Sequence, residues 1–444
     1  MLTKPQLEQT ITLTIERLGI NGEGVGIFEG FTIFVDGALP GEKIKAVICE
    51  VRKNFARARL IEHITTSPHR QKPICPVFGT CGGCQIMHLD YQEQLVIKRQ
   101  RVIDALQRIG KLFDVDVTSC EPSPLPLAYR NKIQLPAGMS NSHLYLGLYA
   151  YNTHDLIEID KCYIHCTLGE AVFQKVKNIL KASSLTEGDI KCVLIKTAVT
   201  TKQVLVILVT TQKSLPGLSK IATEIMESMP EIKGVVQSVN SSIGNVMLGK
   251  EFYTLVGESS ITETLSGLTF KVSPASFFQV NPAQAEKVYK TVLEYAALTG
   301  KETVLDAYCG VGTLSLILAK GAHSVIGVEY VEEAIRDAKE NARVNHLSNT
   351  QFTCALAEEF ISSLKHIDVG VLNPPRKGCE RSFLENLALL KPTKIIYVSC
   401  DPATLARDLA ILSEKGYKVE HVKPFDMFPQ TVHVECVAFL KFNC

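Results

Sequence analysis

A cysteine near the C-terminus stands where a parallel sheet would present a nucleophile. Cys400 follows the apolar run 395–398 and precedes Asp401 and Pro402, a pair that predicts the start of a helix. In open α/β sheets, ligands bind outside the carboxyl ends of the strands, which is where this thiol would lie. A nucleophilic cysteine must be partly thiolate, and the dipole of the following helix favours that anion.

A glycine-rich turn and a carboxylate indicate a pocket for a nucleoside-containing methyl donor. Gly310 and Gly312 follow a strand that ends at Asp306, and Glu329 ends the next strand. Glycines let a ligand approach the backbone closely, and a carboxylate at that place can accept hydrogen bonds from ribose hydroxyls. Ser315 replaces the third glycine of a dinucleotide fingerprint, which disfavours pyrophosphate binding and leaves S-adenosylmethionine as the better ligand.

A carboxylate in a valine-rich segment is the candidate proton acceptor. A thiolate that adds to C6 of uracil turns C5 into a nucleophile toward a methyl sulfonium, and a base must then remove the C5 proton. Glu435 lies in the segment 432–437, where burial of a carboxylate is costly unless it has a purpose. The alternative is a solvent-facing residue on an edge strand. His433 lies two residues before Glu435, so on a strand the two side chains would share one face. We predict that His433 is a supporting or surface residue.

Three cysteines within ten residues predict a metal site. Cys75, Cys81 and Cys84 form a C-x5-C-x2-C pattern, which differs from the C-x3-C-x2-C of radical methyl-donor enzymes. Zinc and a cubane iron–sulfur cluster each need a fourth ligand, and unliganded thiols are a third interpretation. The candidates for the fourth ligand are His88, Cys162 and Cys166. The remaining cysteines are predicted to be core residues, for example Cys49, Cys192, Cys354 and Cys436.

Composition limits the classes of protein that need consideration. The 444 residues carry a formal net charge of +1, so global charge gives no support to a nucleic-acid partner and local basic clusters must do so. The N-terminus lacks the apolar core of a signal peptide, and no run of 18 apolar residues predicts a membrane span. We therefore expect a cytoplasmic protein, in which clustered cysteines bind metal or catalyse.

Three regions of different periodicity are expected to position these groups. Residues 1–66 combine short alternating strands with glycine-rich turns, which predicts a small barrel of OB type. Residues 67–262 read as an α+β domain that contains the cysteine cluster and a helix over 92–109. Residues 263–444 alternate strand and helix, which predicts a doubly wound parallel sheet with an antiparallel hairpin at its edge.

These motifs together resemble the RNA uracil-5-methyltransferases, in particular the 23S ribosomal RNA branch with a TRAM domain and a [4Fe–4S] cluster. The resemblance covers nearly the whole chain. It rests on the four cysteines 75, 81, 84 and 162, and on the segments 277–281, 306–313, 327–329, 373–378, 398–402 and 434–437.

The resemblance implies a role for each candidate residue. Cys400 corresponds to the nucleophile and Glu435 to the proton acceptor, and Cys162 to the fourth ligand of the cluster. The methyl-donor site would be lined by Gln279, Tyr308, Glu329 and Asn373. Residues 1–66 would be the TRAM domain that grips RNA, with phosphate contacts expected from Arg52, Lys53, Arg57 and Arg59. Stacking on the target base is expected from Phe277, Phe278 or Phe428.

Two positions depart from the family pattern. The family usually has Asp where Asn373 stands, and a polar residue near the adenine where Leu356 stands. Asn373 keeps a carbonyl acceptor but loses the charge, so donor affinity could change. Neither change touches Cys400 or Glu435, and we still expect an active enzyme.

Other interpretations of the sequence stay open. A transfer-RNA uracil-5-methyltransferase acting in the T-loop would share the same catalytic residues. An RNA cytosine-5 enzyme also uses a cysteine, but the Asn-Pro-Pro and Ser-Cys-Asp-Pro motifs suit the uracil group better. A non-catalytic iron–sulfur RNA-binding protein is the alternative from another class, against which Cys400 and Glu435 argue. A monomer is expected.

Overall fold

The computed structural model describes residues 4–141, 143–242 and 247–443. By its internal contacts the chain divides into two compact units. The first comprises Met1–Lys98, Tyr149–Asp155 and Phe428–His433, and the second comprises Arg99–Leu148, Leu156–Met427 and Val434–Cys444. In the described part of the chain, no helix has the length and apolar character needed to cross a membrane.

The first unit begins with a closed five-stranded barrel, as the sequence predicts. Its core is built by alternation, because every second side chain of a strand faces inward: Ile11, Leu13 and Ile15 are buried in this way. The strands close in the order β1-β2-β3-β5-β4. They are β1 (Thr10–Leu18), β2 (Gly24–Phe28), β3 (Phe31–Val35), β4 (Lys43–Val51) and β5 (Phe55–Thr65).

The strand β2 is the part of the barrel that the sequence prediction missed. Its glycines were interpreted as turn residues, yet Gly24 and Gly26 pair with β1 and β3. A Cβ atom at Gly26 would lie 2.4 Å from the carbonyl oxygen of Thr14. Glycine is present here because a neighbouring backbone approaches closely, which composition alone does not distinguish from a turn.

We predict that Gly26→Ala destabilises the barrel by about 2 kcal/mol, because the added methyl group meets backbone that cannot move aside. Thermal or urea unfolding of the purified chain measures the loss. Gly321→Ala is the matched control, since its Cβ would meet only Leu298 at 3.5 Å, an ordinary contact. Equal stability of the two variants would contradict the close approach.

The second unit contains a seven-stranded sheet in the order β13-β12-β11-β10-β7-β8-β9. Its central strands are buried along their whole length, as in Gln203–Thr210. The elements are β7 (Lys132–Ser140), β8 (His143–Tyr149), β9 (Leu156–Glu158), α2 (Thr167–Ala182), β10 (Ile190–Ala198), β11 (Gln203–Thr210), α3 (Leu218–Glu227), β12 (Ile232–Val239) and β13 (Glu251–Gly257). The helix α1 (Tyr91–Arg108) precedes this region, and β14 (Ile261–Leu265) pairs with β15 (Leu268–Val272) after it.

An eight-stranded sheet carries the C-terminal part of the second unit. Five neighbouring strands, in the order β18-β17-β16-β19-β20, run parallel. The strand β22 pairs antiparallel with both β20 and β21. The strands are β6 (Asp116–Val117), β16 (Thr303–Ala307), β17 (Ser324–Glu329), β18 (Thr350–Cys354), β19 (Val369–Leu372), β20 (Lys394–Ser399), β21 (Tyr417–Phe425) and β22 (Glu435–Phe442).

Helices alternate with these strands, as the sequence predicts for a doubly wound sheet. Their N-termini follow the carboxyl ends of the strands, which is where such folds bind ligands. They are α4 (Pro282–Ala296), α5 (Thr313–Ala319), α6 (Glu332–Val344), α7 (Ala357–Phe360), α8 (Arg381–Leu389) and α9 (Pro402–Glu414), with a short 3-10 turn at Ile361–Ser363.

The edge of this sheet differs from the prediction. The hairpin of β21 and β22 is not outermost, because β6 pairs in parallel with β21 through His421 and Val422. A two-residue strand has too few residues to produce a period-two signal, so no pattern in the sequence predicts it. The strand β22 begins at Glu435, so the period-two argument does not extend to His433. The predicted domain boundaries at 66 and 262 stay predictions.

Candidate active site

The pairing of two strands brings the predicted nucleophile and base together. Ser399 lies opposite Cys436 in the antiparallel ladder between β20 and β22. The next residue outward on each strand is Cys400 and Glu435, so both lie at the carboxyl end of β20. The charge of Glu435 acts on the Cys400 thiol and raises its pKa. The structure therefore unites the two residues that the sequence proposed separately.

The surroundings of Cys400 disfavour the thiolate form that the sequence argument requires in part. Burial, together with the Glu435 carboxylate, raises its pKa to about 11. The helix α9 offers it little help, because the Asp401 carboxylate accepts hydrogen bonds from the amides of Ala403 and Thr404 at 2.8 and 3.0 Å. The first-turn amides are thus already used, and the dipole argument made from the sequence was incomplete.

Glu435 is buried, so the solvent-facing alternative is wrong. Only 6% of the surface of Glu435 is accessible to solvent. Desolvation raises its pKa to about 7, and the nearby Arg376 guanidinium acts in the opposite direction. A carboxyl group with a pKa near neutrality exchanges a proton readily at physiological pH, which is the property of a general base.

Arg376 is a functional residue to which the sequence prediction gave no role. It lowers the pKa of both Cys400 and Glu435. Its backbone is fixed to α9, because the Thr404 hydroxyl donates to the Arg376 carbonyl oxygen at 3.2 Å. The available signal was its place in the segment Asn373–Gly378, directly after a parallel strand.

A buried hydrogen-bond network holds the loop that carries Arg376. The Asp408 carboxylate accepts from the Cys379 amide at 2.8 Å and from the Tyr397 hydroxyl at 2.5 Å. Arg407 pairs with the same carboxylate at 2.8 Å and donates to the Lys377 carbonyl oxygen at 2.9 Å. Because β20, α9 and the loop share this network, the backbone of the loop that carries Arg376 has a defined position.

A second group of residues surrounds the carboxyl ends of β16 and β17. The Glu329 carboxylate accepts hydrogen bonds from the amides of Gly310 at 3.3 Å, Tyr330 at 2.9 Å and Val331 at 3.0 Å. A Cβ atom at Gly310 would meet nothing within 4 Å, so open space lies beside this turn. A fixed carboxylate next to open space fits the ribose of a nucleoside ligand.

Asp306 adds a polar group that the sequence treated only as a strand end. It is fully buried, and the Ser315 hydroxyl donates to Oδ2 at 2.5 Å, whereas Oδ1 has no hydrogen-bond partner among the described residues. Burial raises its pKa to about 7. An unsatisfied buried acceptor at the methyl-donor turn is consistent with a ligand that completes its hydrogen bonds.

The other predicted donor-site residues are Tyr308 after β16, Asn373 after β19 and Gln279 in the loop before α4. Tyr308 adopts a positive φ of 65° in the glycine turn, and its hydroxyl donates to Glu358 at 3.1 Å. Strained backbone of this kind is concentrated at functional sites. The amide of Asn373 donates to the Ala307 carbonyl oxygen at 3.2 Å, which places it at the end of β19 beside this turn. Gln279 hydrogen-bonds the buried Tyr289.

The remaining predicted contacts differ in how well they suit a ligand. Leu356 is 48% exposed at the start of α7 and offers an apolar surface. Phe277 is 64% exposed and free to stack on a base, whereas Phe278 is a core residue. Phe428 belongs to the first unit, where its ring contacts His433.

The cysteine loop of the first unit contains three of the four predicted cluster ligands, Cys75, Cys81 and Cys84. The Cys81 thiol accepts a hydrogen bond from the Gly83 amide at 3.4 Å, and burial together with the Cys75 charge raises its pKa. In the second unit, the amide of Cys162 donates to Glu170 at 3.4 Å. Among the described residues, no group of three or more His, Cys, Asp or Glu side chains is arranged to hold a metal ion. Thiols are the ligands that an iron–sulfur cluster requires, so the residue types fit the predicted cluster.

Two cysteines predicted to lie in the core are exposed. Cys49 lies on the outward face of β4, and Cys354 ends β18 at the surface. Cys192 and Cys436 are buried as predicted. Strand alternation decides this difference, and residue type does not report it.

The predicted phosphate contacts of the barrel fall into two classes. Arg52 pairs with Glu50, and Arg57 pairs with Glu23 at 3.5 Å and Glu50 at 3.8 Å. Lys53 and Arg59 are exposed and make no such pair within the described chain. Lys53 and Arg59 are therefore more available than Arg52 and Arg57 to bind phosphate.

Comparison with known proteins identifies related chains. The tRNA (Uracil-5-)-methyltransferase family model matches residues 90–443, and the TRAM domain model matches residues 6–61. An uncharacterized RNA methyltransferase of Clostridium acetobutylicum is 43% identical over 440 residues, covering 96% of each chain. A second one, of Listeria innocua, is 43% identical over 443 residues and covers 97% of each chain.

A solved structure is similar along almost the whole chain. It is the Pyrococcus abyssi tRNA (uracil-54, C5)-methyltransferase in complex with S-adenosyl-L-homocysteine, with a TM-score of 0.76 and 29% sequence identity. The match covers 97% of this chain and 100% of that one. The resemblance stated from the sequence is thus confirmed at the level of the family.

The electrostatics of the site make a prediction about thiol reactivity. Alkylation of Cys400 by iodoacetamide should have its midpoint near pH 11, well above that of an ordinary thiol. Arg376→Gln should raise the midpoint, because a stabilising positive charge is lost, and Glu435→Gln should lower it, because a negative charge is lost. Mass spectrometry of the Cys400 peptide measures the reaction, with the exposed Cys49 as an internal reference. A midpoint below pH 8 would contradict the burial of the thiol.

Proposed function

Because the chain belongs to the tRNA (uracil-5-)-methyltransferase family, we propose that it methylates C5 of a uridine in 23S ribosomal RNA, using S-adenosylmethionine. The observation that supports this most strongly is the placement of Cys400 and Glu435 on paired strands at one end of the sheet. A thiol and a base with a pKa near 7 are the two groups that methylation of an unreactive C5 requires.

The proposed reaction uses each of these groups once. The target uridine leaves its stack, because C5 and C6 are inaccessible inside a folded RNA. Cys400 first loses its thiol proton to solvent, and its sulfur then bonds to C6 while the electrons of the C5–C6 double bond move toward C5 and O4. The methyl group passes from the sulfonium of S-adenosylmethionine to C5, the methyl–sulfur bond breaks, and S-adenosylhomocysteine is the second product. Glu435 then takes the proton from C5, the double bond forms again and Cys400 leaves as thiolate.

Arg376 has two effects in this scheme. Its positive charge lowers the pKa of Cys400 and so stabilises the attacking thiolate. It also keeps the pKa of Glu435 from rising further, so that a useful fraction is ionised at neutral pH. Because Glu435 must be a carboxylate to accept the C5 proton, the rate should fall as the pH drops below about 7.

The donor would be held by the residues around the carboxyl ends of β16, β17 and β19. Glu329 would accept from the ribose, and Tyr308, Gln279 and Asn373 would line the rest of the site. The open space beside Gly310 supports this placement. Asn373 offers an amide in place of the carboxylate usual in the family, so it supplies hydrogen bonds but no charge.

We predict that Cys400→Ala abolishes methyl transfer and that Glu435→Gln traps a covalent protein–RNA adduct. In the second variant the methyl group moves but the C5 proton has no acceptor, so the thiol cannot leave. Tritium transfer to RNA and a denaturing gel measure the two effects. The controls are Cys49→Ala at an exposed residue and Glu420→Gln at a half-buried one, both outside the site. Normal turnover by Glu435→Gln would refute the assignment of the base.

Transfer RNA is the second candidate substrate. It is favoured by the similarity to the Pyrococcus abyssi tRNA (uracil-54, C5)-methyltransferase. Mass spectrometry of 5-methyluridine in ribosomal and transfer RNA, from cells with and without the protein, separates the two. Loss from ribosomal RNA supports the first proposal and loss from transfer RNA the second. Loss from neither would favour a non-catalytic RNA-binding protein.

We further propose that Cys75, Cys81 and Cys84, with Cys162 as the fourth ligand, hold a [4Fe–4S] cluster. Cys162 belongs to the other unit and is assigned from the family resemblance alone. Methyl transfer from a sulfonium to carbon needs no oxidant or reductant. The cluster would therefore have a structural role. The protein would be cytoplasmic, where thiols stay reduced. It would also be a monomer.

The metal proposal predicts a defined iron content. Protein purified without oxygen should contain about four iron and four sulfide ions per chain, as a cubane cluster requires. Cys81→Ser should lose most of both, because one of four ligands is removed, whereas Cys49→Ser should keep them. Zinc in place of iron would refute the cluster, and absence of any metal would favour free thiols.

A further inference from the structure

A cleft in the second unit contains two lysines that the proposed chemistry does not use. The cleft is lined by Lys132 at the start of β7, by Lys196 near the end of β10, and by the loop residues Ser276 and Phe278. Lys132 lies opposite Lys196 in the pairing of β7 with β10. Burial, together with the charge of Lys132, lowers the pKa of Lys196 to about 7, and an anion bound between the two ammonium groups would reduce their repulsion.

No acidic side chain neutralises this pair. Among the described residues, neither ammonium group has a carboxylate within 4.0 Å. Glu263 also lines the cleft, but its oxygens accept hydrogen bonds from the amides of Val199, Thr200 and Thr264. Asp337 acts on Lys196 only through space. Lys132 is therefore the cation of the cleft that has no ion-pair partner among the described residues.

The cleft is built into the segment that carries two predicted site residues. Lys196 Nζ donates to the carbonyl oxygens of Ser273 and Ser276, each at 2.7 Å. The amide of Asn131, the residue before Lys132, donates to the Val280 carbonyl oxygen at 2.9 Å. Between these anchors lie Phe277 and Gln279, so the cleft and the candidate active site share one loop.

An exposed aromatic ring beside a basic cleft is typical of single-stranded nucleic-acid recognition. In such sites bases stack on the ring while cations follow the phosphates. Phe277 supplies the exposed ring, 64% accessible, one residue from the cleft wall. Lys196 is occupied by two carbonyl groups, which leaves Lys132 as the group free to contact a ligand.

We propose that this cleft binds a backbone phosphate of the RNA substrate next to the target uridine, with Lys132 as the main contact. The proposal rests on the proposed function, because it assumes an RNA substrate. Bound there, the phosphate would fix the nucleotide chain relative to the loop of Phe277 and Gln279. Phosphate contacts set position and register without reading sequence.

Lys132→Gln tests this contact in the full-length protein. We expect RNA affinity to fall about tenfold, the usual effect of losing one charged hydrogen bond. The slope of log affinity against log salt should become shallower by about 0.7, as for one phosphate on a single strand. Lys132→Arg should restore most of both. The probe is a labelled RNA hairpin with a uridine-containing loop, and Lys175→Gln, on the exposed face of α2, is the matched control.

A scan of neutral linkages gives a measurement that does not depend on a variant's folding. Hairpins with one methylphosphonate in place of a phosphate should include one, adjacent to the target uridine, that binds the unmodified protein about tenfold more weakly. Lys132→Gln should be insensitive to that same replacement. A position that weakens both proteins equally, or no such position, would overturn the proposal.

The outcomes separate this inference from the proposed function. If the unmodified protein methylates uridine and Lys132→Gln binds RNA like the control, only the phosphate site is refuted. If Lys132→Gln weakens S-adenosylmethionine binding and leaves RNA binding unchanged, the cleft serves the donor carboxylate and the proposal is wrong. If the unmodified protein neither binds nor methylates RNA, both ideas are refuted.

Discussion

The antiparallel pairing of β22 with β20 is the constraint on which the candidate site depends. Five parallel strands alone would present Cys400 at the edge where ligands bind, but without a partner. Insertion of β22 beside β20 places Ser399 opposite Cys436 and so brings Glu435 to the same edge. Because side chains alternate along a strand, a shift of the register by one residue would turn the carboxylate to the other face.

Burial at that edge determines the chemistry of both groups. The same desolvation raises the pKa of Glu435 to about 7 and that of Cys400 to about 11. The first change produces a base suited to neutral pH, whereas the second makes the thiol a poor nucleophile at rest. Arg376 partly offsets both effects, and the Asp408 network keeps it in place. The positive charge of Arg376 thus lowers the pKa of both Cys400 and Glu435, against the effect of burial.

Much of the architecture could be predicted from the sequence because its signals are local. The parallel strands are short apolar runs, each followed by a turn and a helix. The predicted strand ends at Asp306 and Glu329 and the run 395–398 agree within one residue with β16, β17 and β20. The strand β2 was missed because its glycines serve a close approach between strands, visible only in three dimensions. The strand β6 was missed because two residues carry no periodic pattern.

The chemistry was less predictable than the fold. Residue types and motif positions pointed to Cys400, Glu435 and Glu329, but the state of ionisation depends on burial and on charges distant in sequence. Asp401 illustrates this: it starts α9 as predicted, yet it takes the amides that were expected to stabilise the thiolate. The lysine pair of the cleft lies 64 residues apart in sequence, on β7 and β10, which pair in the sheet and bring Lys132 opposite Lys196.

The central claim is a transient bond between the sulfur of Cys400 and C6 of a uracil ring. RNA in which 5-fluorouridine replaces uridine tests it most directly, because fluorine cannot leave C5 as a proton does. The intact protein, given this RNA and S-adenosylmethionine, should form a complex that survives denaturation. Mass spectrometry of its peptides should find the methylated fluorouracil on Cys400. An adduct on another residue, or no adduct from an enzyme that methylates the normal RNA, would contradict the account.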